Sequence, residues 1–279
     1  MAQELMRNSD NQNQPILKGG HGAAPRIYFN LLRLNSGETY SFVLPGFETA
    51  NVVLSGNADI SVDGELFADV GRRKDIWSGK ADSVYAGVGA DVVIRSNADG
   101  TEIAVAGGVF DTKLPAFRVT PDEVDPVDVG SNETHSHRKI YHILGQNAAG
   151  RAGNLLISEL YCDDGNWSGY PPHKHDTQSS GESAHDEVYY YRFRPENGFG
   201  GQYWFTDGGD CVVHMTRNGD TFAFSDGYHP TVTSPGHEEY IFTILVGLHQ
   251  RSLVQNFKEE YRPLMGMFPG VQDMVDKFK

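Results

Sequence analysis

Two histidines one residue apart, His173 and His175, stand in the stretch "NWSGYPPHKHDTQSSGESAHDEVYYYR", and a carboxylate, Glu187, opens the tyrosine-rich segment that ends it. On an extended chain successive side chains alternate faces, so the two imidazoles point one way and Lys174 the other. Imidazole nitrogens beside a carboxylate are a donor set for a divalent transition ion. Farther on, "NGDTFAFSDGYHP" carries a strand between Gly219-Asp220 and a tight turn at Gly227, and then delivers His229. One hairpin supplying His173, His175 and Glu187, and a later one supplying His229, make a set of three histidines and one carboxylate.

Histidine spacing alone does not select that set. "THSH" places His135 and His137 at the same interval, among small polar and charged residues with no strand beneath them. The difference is the strand "EVYYYRF", which gives Glu187 a fixed direction and puts Tyr189 and Tyr191 on its face, with Val188, Tyr190 and Arg192 opposite. Eleven residues separate His175 from Glu187, and they leave Glu182, His185 and Asp186 as rival donors.

The elements that must position these residues are strands. Short β-rich runs recur between turns, among them "RIYFNLLRL", "TANVVLSG", "ADVVIRS" and "EIAVAGGVF". The pattern predicts an antiparallel sandwich or barrel. A proline-rich, acidic stretch over 111–138 reads as a linker or crossing segment. The strand pattern then starts again with "IYHILG" and "NLLISELYC" and runs to "EEYIFTILVGL". This predicts an all-β chain of two successive units: a polar tail over 1–18, a first unit over 19–130, and a second unit over 131–279 that holds His173, His175, Glu187 and His229. The end of the second unit has weak helical character broken by Pro263 and Pro269, and it covers either that unit or a neighbouring subunit.

The arrangement HxH…E followed by GDxF…GxH resembles the two cupin motifs of a jelly-roll barrel. "NWSGYPPHKHD…EVYYYR", "FTDG" and "GYHP" resemble, more narrowly, the bicupin uronate isomerases, the family of 5-deoxy-D-glucuronate isomerase from bacterial inositol catabolism. The likeness is strong from about Gly165 to Gly247 and continuous but weaker through the first unit. It implies a bicupin of two jelly-roll domains with a short helical tail and a metal only in the second. In agreement, His21 is the only histidine of the first unit. Carried over by position, the ligands are His173, His175, Glu187 and His229. The implied reaction is aldose–ketose isomerisation of a deoxyuronic acid around one divalent ion, zinc first, with manganese or iron also serving. Tyr189 and Tyr191 are candidates to line the pocket, and Arg192, Arg194 or Lys174 to hold the substrate carboxylate; no residue is assigned as the acid or base. The competing readings are an iron-dependent cupin dioxygenase and a non-enzymatic bicupin that binds a sugar acid.

Bulk properties set the remaining limits. A net charge of −14 argues against nucleic acid or an anionic membrane as partner, because phosphate binding needs a positive surface. A small anionic substrate is still allowed, since one local cation can hold a carboxylate. Cys162 and Cys211 are too few for a disulfide framework. No apolar run is long enough to span a membrane, and the amino terminus lacks an export core. The expectation is a cytoplasmic protein that takes a small sugar acid, with a homo-oligomer allowed.

Overall fold

The computed structural model describes residues 2–20, 22–180 and 182–277; His21 lies outside the described residues. The ladders are antiparallel throughout. In the first half a six-stranded sheet runs in the order Phe117–Val119, Asp82–Ala86, Phe47–Ser55, Thr101–Val109, Ile27–Leu34, Leu17–Lys18. It faces a four-stranded sheet in the order Thr39–Val43, Asp91–Ser96, Ala58–Val62, Glu65–Val70. The second half repeats the plan. Seven strands, Gln3–Met6, Thr221–Phe224, His185–Arg194, Glu238–Gly247, Leu155–Cys162, Arg138–Leu144 and Asp125–Val129, face four, Trp167–Ser168, Thr231–Thr233, Phe199–Phe205 and Cys211–Arg217.

The two large sheets lie back to back, which makes them apolar on both faces. In "IYFNLLRL", Ile27, Phe29 and Leu31 enter the core between the barrels, while Tyr28, Leu32 and Leu34 fill the first barrel. In "YIFTILVG", Tyr240, Phe242, Ile244 and Val246 turn to the shared core, and Ile241, Thr243 and Leu245 turn into the second barrel. Gly108 sits where the sheets touch; a Cβ there would come within 2.9 Å of a Val246 methyl. The first barrel is packed with aliphatic side chains such as Val53, Ile60, Val92 and Ile94.

Three expectations change. Residues 3–6 of the expected polar tail are a strand at the edge of the second barrel's large sheet, with Gln3 opposite Phe224 and Met6 opposite Thr221. Arg7 secures it through Asp220 at 2.6 Å. Four residues are too few to show periodicity, and their partner lies more than two hundred positions away. The 111–138 stretch is not a plain linker, since Phe117–Val119 closes the first barrel's sheet and Asp125–Val129 edges the second's. The boundary at 130 therefore leaves a second-barrel strand in the first unit. Pro126 sits in that edge strand, where its missing N–H is tolerated. The carboxy-terminal segment, a 3-10 stretch Glu259–Met267 and a helix Val271–Lys277, covers its own second barrel: Val271 and Met274 join Val129, Ile140, Leu245 and Leu253.

Among the described residues no helix is long and apolar enough to cross a membrane. The barrels are also joined by buried charge. Arg73 of the first grips Glu159 of the second through two bonds, Nη2 to Oε1 at 2.6 Å and Nη1 to Oε2 at 3.0 Å. Tyr240 donates to the same carboxylate at 2.8 Å. Removing one partner of a buried pair leaves an uncompensated ion, so Arg73→Met is expected to cost about 3–5 kcal/mol in chemical denaturation. The double variant Arg73→Met/Glu159→Gln should recover much of that loss, and a purely additive result would show that the two residues act independently.

Candidate metal centre

The inward face of the His185–Arg194 strand carries Glu187, Tyr189, Tyr191 and Phe193, as alternation requires, while Val188 and Tyr190 join the core between the barrels. Glu187 meets two imidazoles there. His175 Nε2 lies 2.7 Å and His229 Nε2 3.3 Å from Glu187 Oε2. One donor atom from each of the three residues lies within 4.8 Å of the others, and all three residues are buried. His173 stands beside this group, its ring 5.0 Å from that of His229 and 6.4 Å from that of His175. Its Nε2 faces Gln255 Nε2 at 3.3 Å.

Local backbone orients the rings. Gly227 has φ of 81°, the left-handed region that glycine enters freely, and its carbonyl lies 2.9 Å from His229 Nδ1. With the Nδ1 proton on that carbonyl, His229 turns a free Nε2 lone pair toward Glu187, and this buried nitrogen has no hydrogen-bond partner among the described residues. The Pro171 carbonyl treats His173 Nδ1 likewise at 3.3 Å. Gln202 accepts from the Tyr191 hydroxyl at 2.6 Å and donates to the His229 carbonyl at 3.0 Å, tying the His229 loop to the Glu187 strand.

Burial holds His173 down to about 3, with the neighbouring His175 adding to the effect. It holds His229 to about 3 as well, against the opposing pull of Glu187. Both rings are therefore neutral at physiological pH. Burial also lowers His175, but the Glu187 charge at 2.7 Å outweighs it and the net shift is upward. Tyr189 is raised well above 10 by burial and then by Glu187, to which its hydroxyl is bonded, so it remains a neutral donor that steadies the carboxylate. A lone pair without a proton partner, a carboxylate and further imidazoles in a dry interior are the donors a divalent transition ion takes, and the residues fit one.

Two of the rival donors are engaged elsewhere, and the third, His185, keeps a buried Nε2 without a hydrogen-bond partner among the described residues but stands outside the converging group. Asp186 accepts from Arg26 at 2.6 Å across the barrel junction, and Glu182 accepts from Asn256. His185 rests its Nδ1 on the Ser183 carbonyl at 2.7 Å, its ring 6.0 Å from that of His175. His135 is exposed, and His137 is paired with Asp163 at 2.6 Å on the surface. The cations expected to hold a substrate carboxylate are all taken. Arg192 meets Glu102 at 2.5 Å, Arg194 meets Glu238, and Lys174 meets Asp207 at 3.1 Å.

A cavity of about 50 Å³ adjoins the centre, lined by His173, His175, Glu187, Tyr189, Leu245 and, from the Arg138–Leu144 strand of the same large sheet, Arg138. Arg138 escaped the sequence reading because it was assigned to the linker. The available signal was an arginine at the first position of "RKIYHIL", on the same face as Ile140. Leu253, Gln255 and Met274 of the carboxy-terminal segment also line the cavity. The short pairing of His173–Lys174 with Asn256–Phe257 fastens that cover next to the first histidine.

A family model described as the KduI/IolB family matches residues 4–264. The chain belongs to the KduI/IolB family. Among curated relatives, 5-deoxy-glucuronate isomerase of Lacticaseibacillus casei is 32% identical over 222 residues, covering 78% of this chain and 80% of that protein. The enzyme of the same name from Geobacillus kaustophilus is 32% identical over 224 residues, covering 79% of each. An IolB-like protein of Salmonella typhimurium superposes with a TM-score of 0.80 at 27% identity, covering 86% of this chain and 90% of that one. Bacillus subtilis oxalate decarboxylase, at TM-score 0.60, 13% identity and coverage of 90% and 76%, shares the bicupin fold alone with this KduI/IolB member.

Buried neutral histidines make stability depend on pH. The unfolded chain protonates His173 and His229 near 6.5, while the folded one does so only near 3. Between those values the unfolded state binds more protons, so stability of chelator-treated protein is expected to fall as pH drops through that window. His229→Asn should make the decline shallower in urea titrations at several pH values; an unchanged slope would place the linkage elsewhere.

Proposed function

We propose that this protein is a metal-dependent aldose–ketose isomerase that converts 5-deoxy-D-glucuronate to 5-dehydro-2-deoxy-D-gluconate in myo-inositol catabolism. The reading rests on one conjunction: in a KduI/IolB chain, whose curated relatives are isomerases, His175, Glu187 and His229 converge on a buried cavity in the second barrel. We assign His173, His175, Glu187 and His229 to one divalent ion, zinc by preference. His173 joins by exchanging its contact with Gln255 for the ion. The partner is a small sugar acid and the compartment is the cytoplasm.

When bound, the ion supplies a Lewis acid that polarises a carbonyl beside a hydroxyl. The protein's own part is to hold Glu187 between His175 and the Tyr189 hydroxyl, and to keep water out with Leu245, Leu253 and Met274. The reaction moves a proton from the hydroxyl-bearing carbon to the former aldehyde carbon and consumes no oxidant. A cavity of about 50 Å³ is far below the ~300 Å³ at which ligand pockets usually begin. Leu253, Gln255 and Met274 line it, so on this reading displacement of the carboxy-terminal segment makes room for the sugar.

Anaerobic incubation of zinc-loaded protein with 5-deoxy-D-glucuronate, followed by NMR, should show loss of the aldehyde signal. A strict need for oxygen would favour a dioxygenase, and binding without turnover would favour a sugar-acid carrier. Chelation should abolish turnover and zinc should restore it. His173→Ala or His229→Ala should lower bound metal and cut activity by more than the ~10–100-fold typical of losing an outer-shell partner. His135→Ala/His137→Ala should change neither quantity; metal loss in that pair would refute the assignment.

A further inference from the structure

The second barrel encloses a cation with no matching anion. Arg138 is 1% exposed and lines the same cavity as Glu187, His173 and His175, on a strand three places along the seven-stranded sheet from that of Glu187. Its Nη1 donates to the Ser136 carbonyl and its Nη2 to the Tyr170 carbonyl, both at 3.0 Å. A guanidinium offers five N–H donors in a planar fork, and two uncharged carbonyls neither exhaust the donors nor neutralise the charge. Among the described residues no carboxylate pairs with it. Arg26, Arg73, Arg118 and Arg192, by contrast, each meet an aspartate or glutamate at 2.5–2.6 Å.

Burial without a counter-ion pulls Arg138 down to about 10, which still leaves it charged at neutral pH. Enclosing an unpaired cation costs stability, and the surrounding cavity is where an anion would complete it. We propose that Arg138 anchors the substrate's carboxylate and thereby selects uronic acids over neutral sugars. This rests on the isomerase reading of the same cavity. One molecule then spans the cavity, the reacting carbons at the His–Glu group and the carboxylate at Arg138. Ile140, the next inward residue on the same strand, also lines the cavity and offers an apolar surface to the deoxygenated carbon beside the carboxylate. A single fork matches a carboxylate, whereas a phosphate dianion would call for a second cation, and among the described lining residues Arg138 is the only Lys or Arg.

The test compares wild type, Arg138→Met and Arg138→Lys as full-length, zinc-loaded proteins on 5-deoxy-D-glucuronate and on the same sugar with an alcohol in place of the carboxylate. Wild type should prefer the acid. Arg138→Met should lose roughly a hundredfold or more in kcat/KM on the acid and change little on the alcohol, with zinc content retained. Arg138→Lys, which keeps the charge but not the fork, should fall between, and it carries the test if the Met variant does not fold. Equal losses on both sugars, or no loss on the acid, would make Arg138 a brace for two carbonyls and overturn the proposal. Should wild type turn over neither sugar, the isomerase reading fails by itself, and calorimetric binding of D-glucuronate against D-glucose decides the anchor. Binding of the acid by wild type but not by Arg138→Met sustains it, and no difference between the two proteins removes it.

Discussion

The strand His185–Arg194 is buried on both faces, and the architecture follows from satisfying both at once. One face gives Val188 and Tyr190 to the core between the barrels; the other gives Glu187, Tyr189, Tyr191 and Phe193 to the interior of the second barrel. A slip of one residue would exchange these sets, sending a carboxylate into the apolar junction and leaving the histidines without it. Pairing with Thr221–Phe224 on one side and Glu238–Gly247 on the other holds the register. The packing between barrels thus also aims the centre, which gives the first barrel a mechanical role although its own interior is filled.

Charge is handled differently at the junction and at the centre. Where the barrels meet, buried ions are paired, Arg73 with Glu159 and Arg26 with Asp186, and the Glu48 carboxyl is held by the Tyr85 hydroxyl and the backbone N–H groups of Gly153 and Leu155. Inside the second barrel the matching stops. His229 keeps a lone pair with no hydrogen-bond partner, and Arg138 keeps a charge with no carboxylate, both among the described residues. Well-satisfied groups provide stability, and unsatisfied ones in a dry cavity are where binding energy is available to a ligand.

The cover is built from the last part of the chain. Leu253, Gln255 and Met274 face the cavity, Phe257 lies opposite His173, and Tyr170 packs on Tyr261 and Phe268. The loop between His175 and Glu187 is fastened to the same segment by Glu182 with Asn256 and by the Ser183 N–H on the Ser252 carbonyl. The loop and the contact between Gln255 and His173 are thus both fastened to the same carboxy-terminal segment.

By itself the sequence determined what depends on neighbours along the chain. The period of two aimed Glu187 away from Val188, the repeated strand runs announced a two-unit β fold, and the glycine turn before His229 was visible in its own segment. Even the contrast between His173/His175 and His135/His137 could be drawn from the flanking residues. Tertiary structure alone decided what depends on pairing across distance. Gln3–Met6 became a strand by meeting residues 221–224, Arg138 became an unpaired interior cation because the barrel closed around it, and Arg192, Arg194 and Lys174 were taken by carboxylates. The physical reason is that direction along a strand is local, whereas burial, charge balance and access are properties of what the rest of the chain brings alongside.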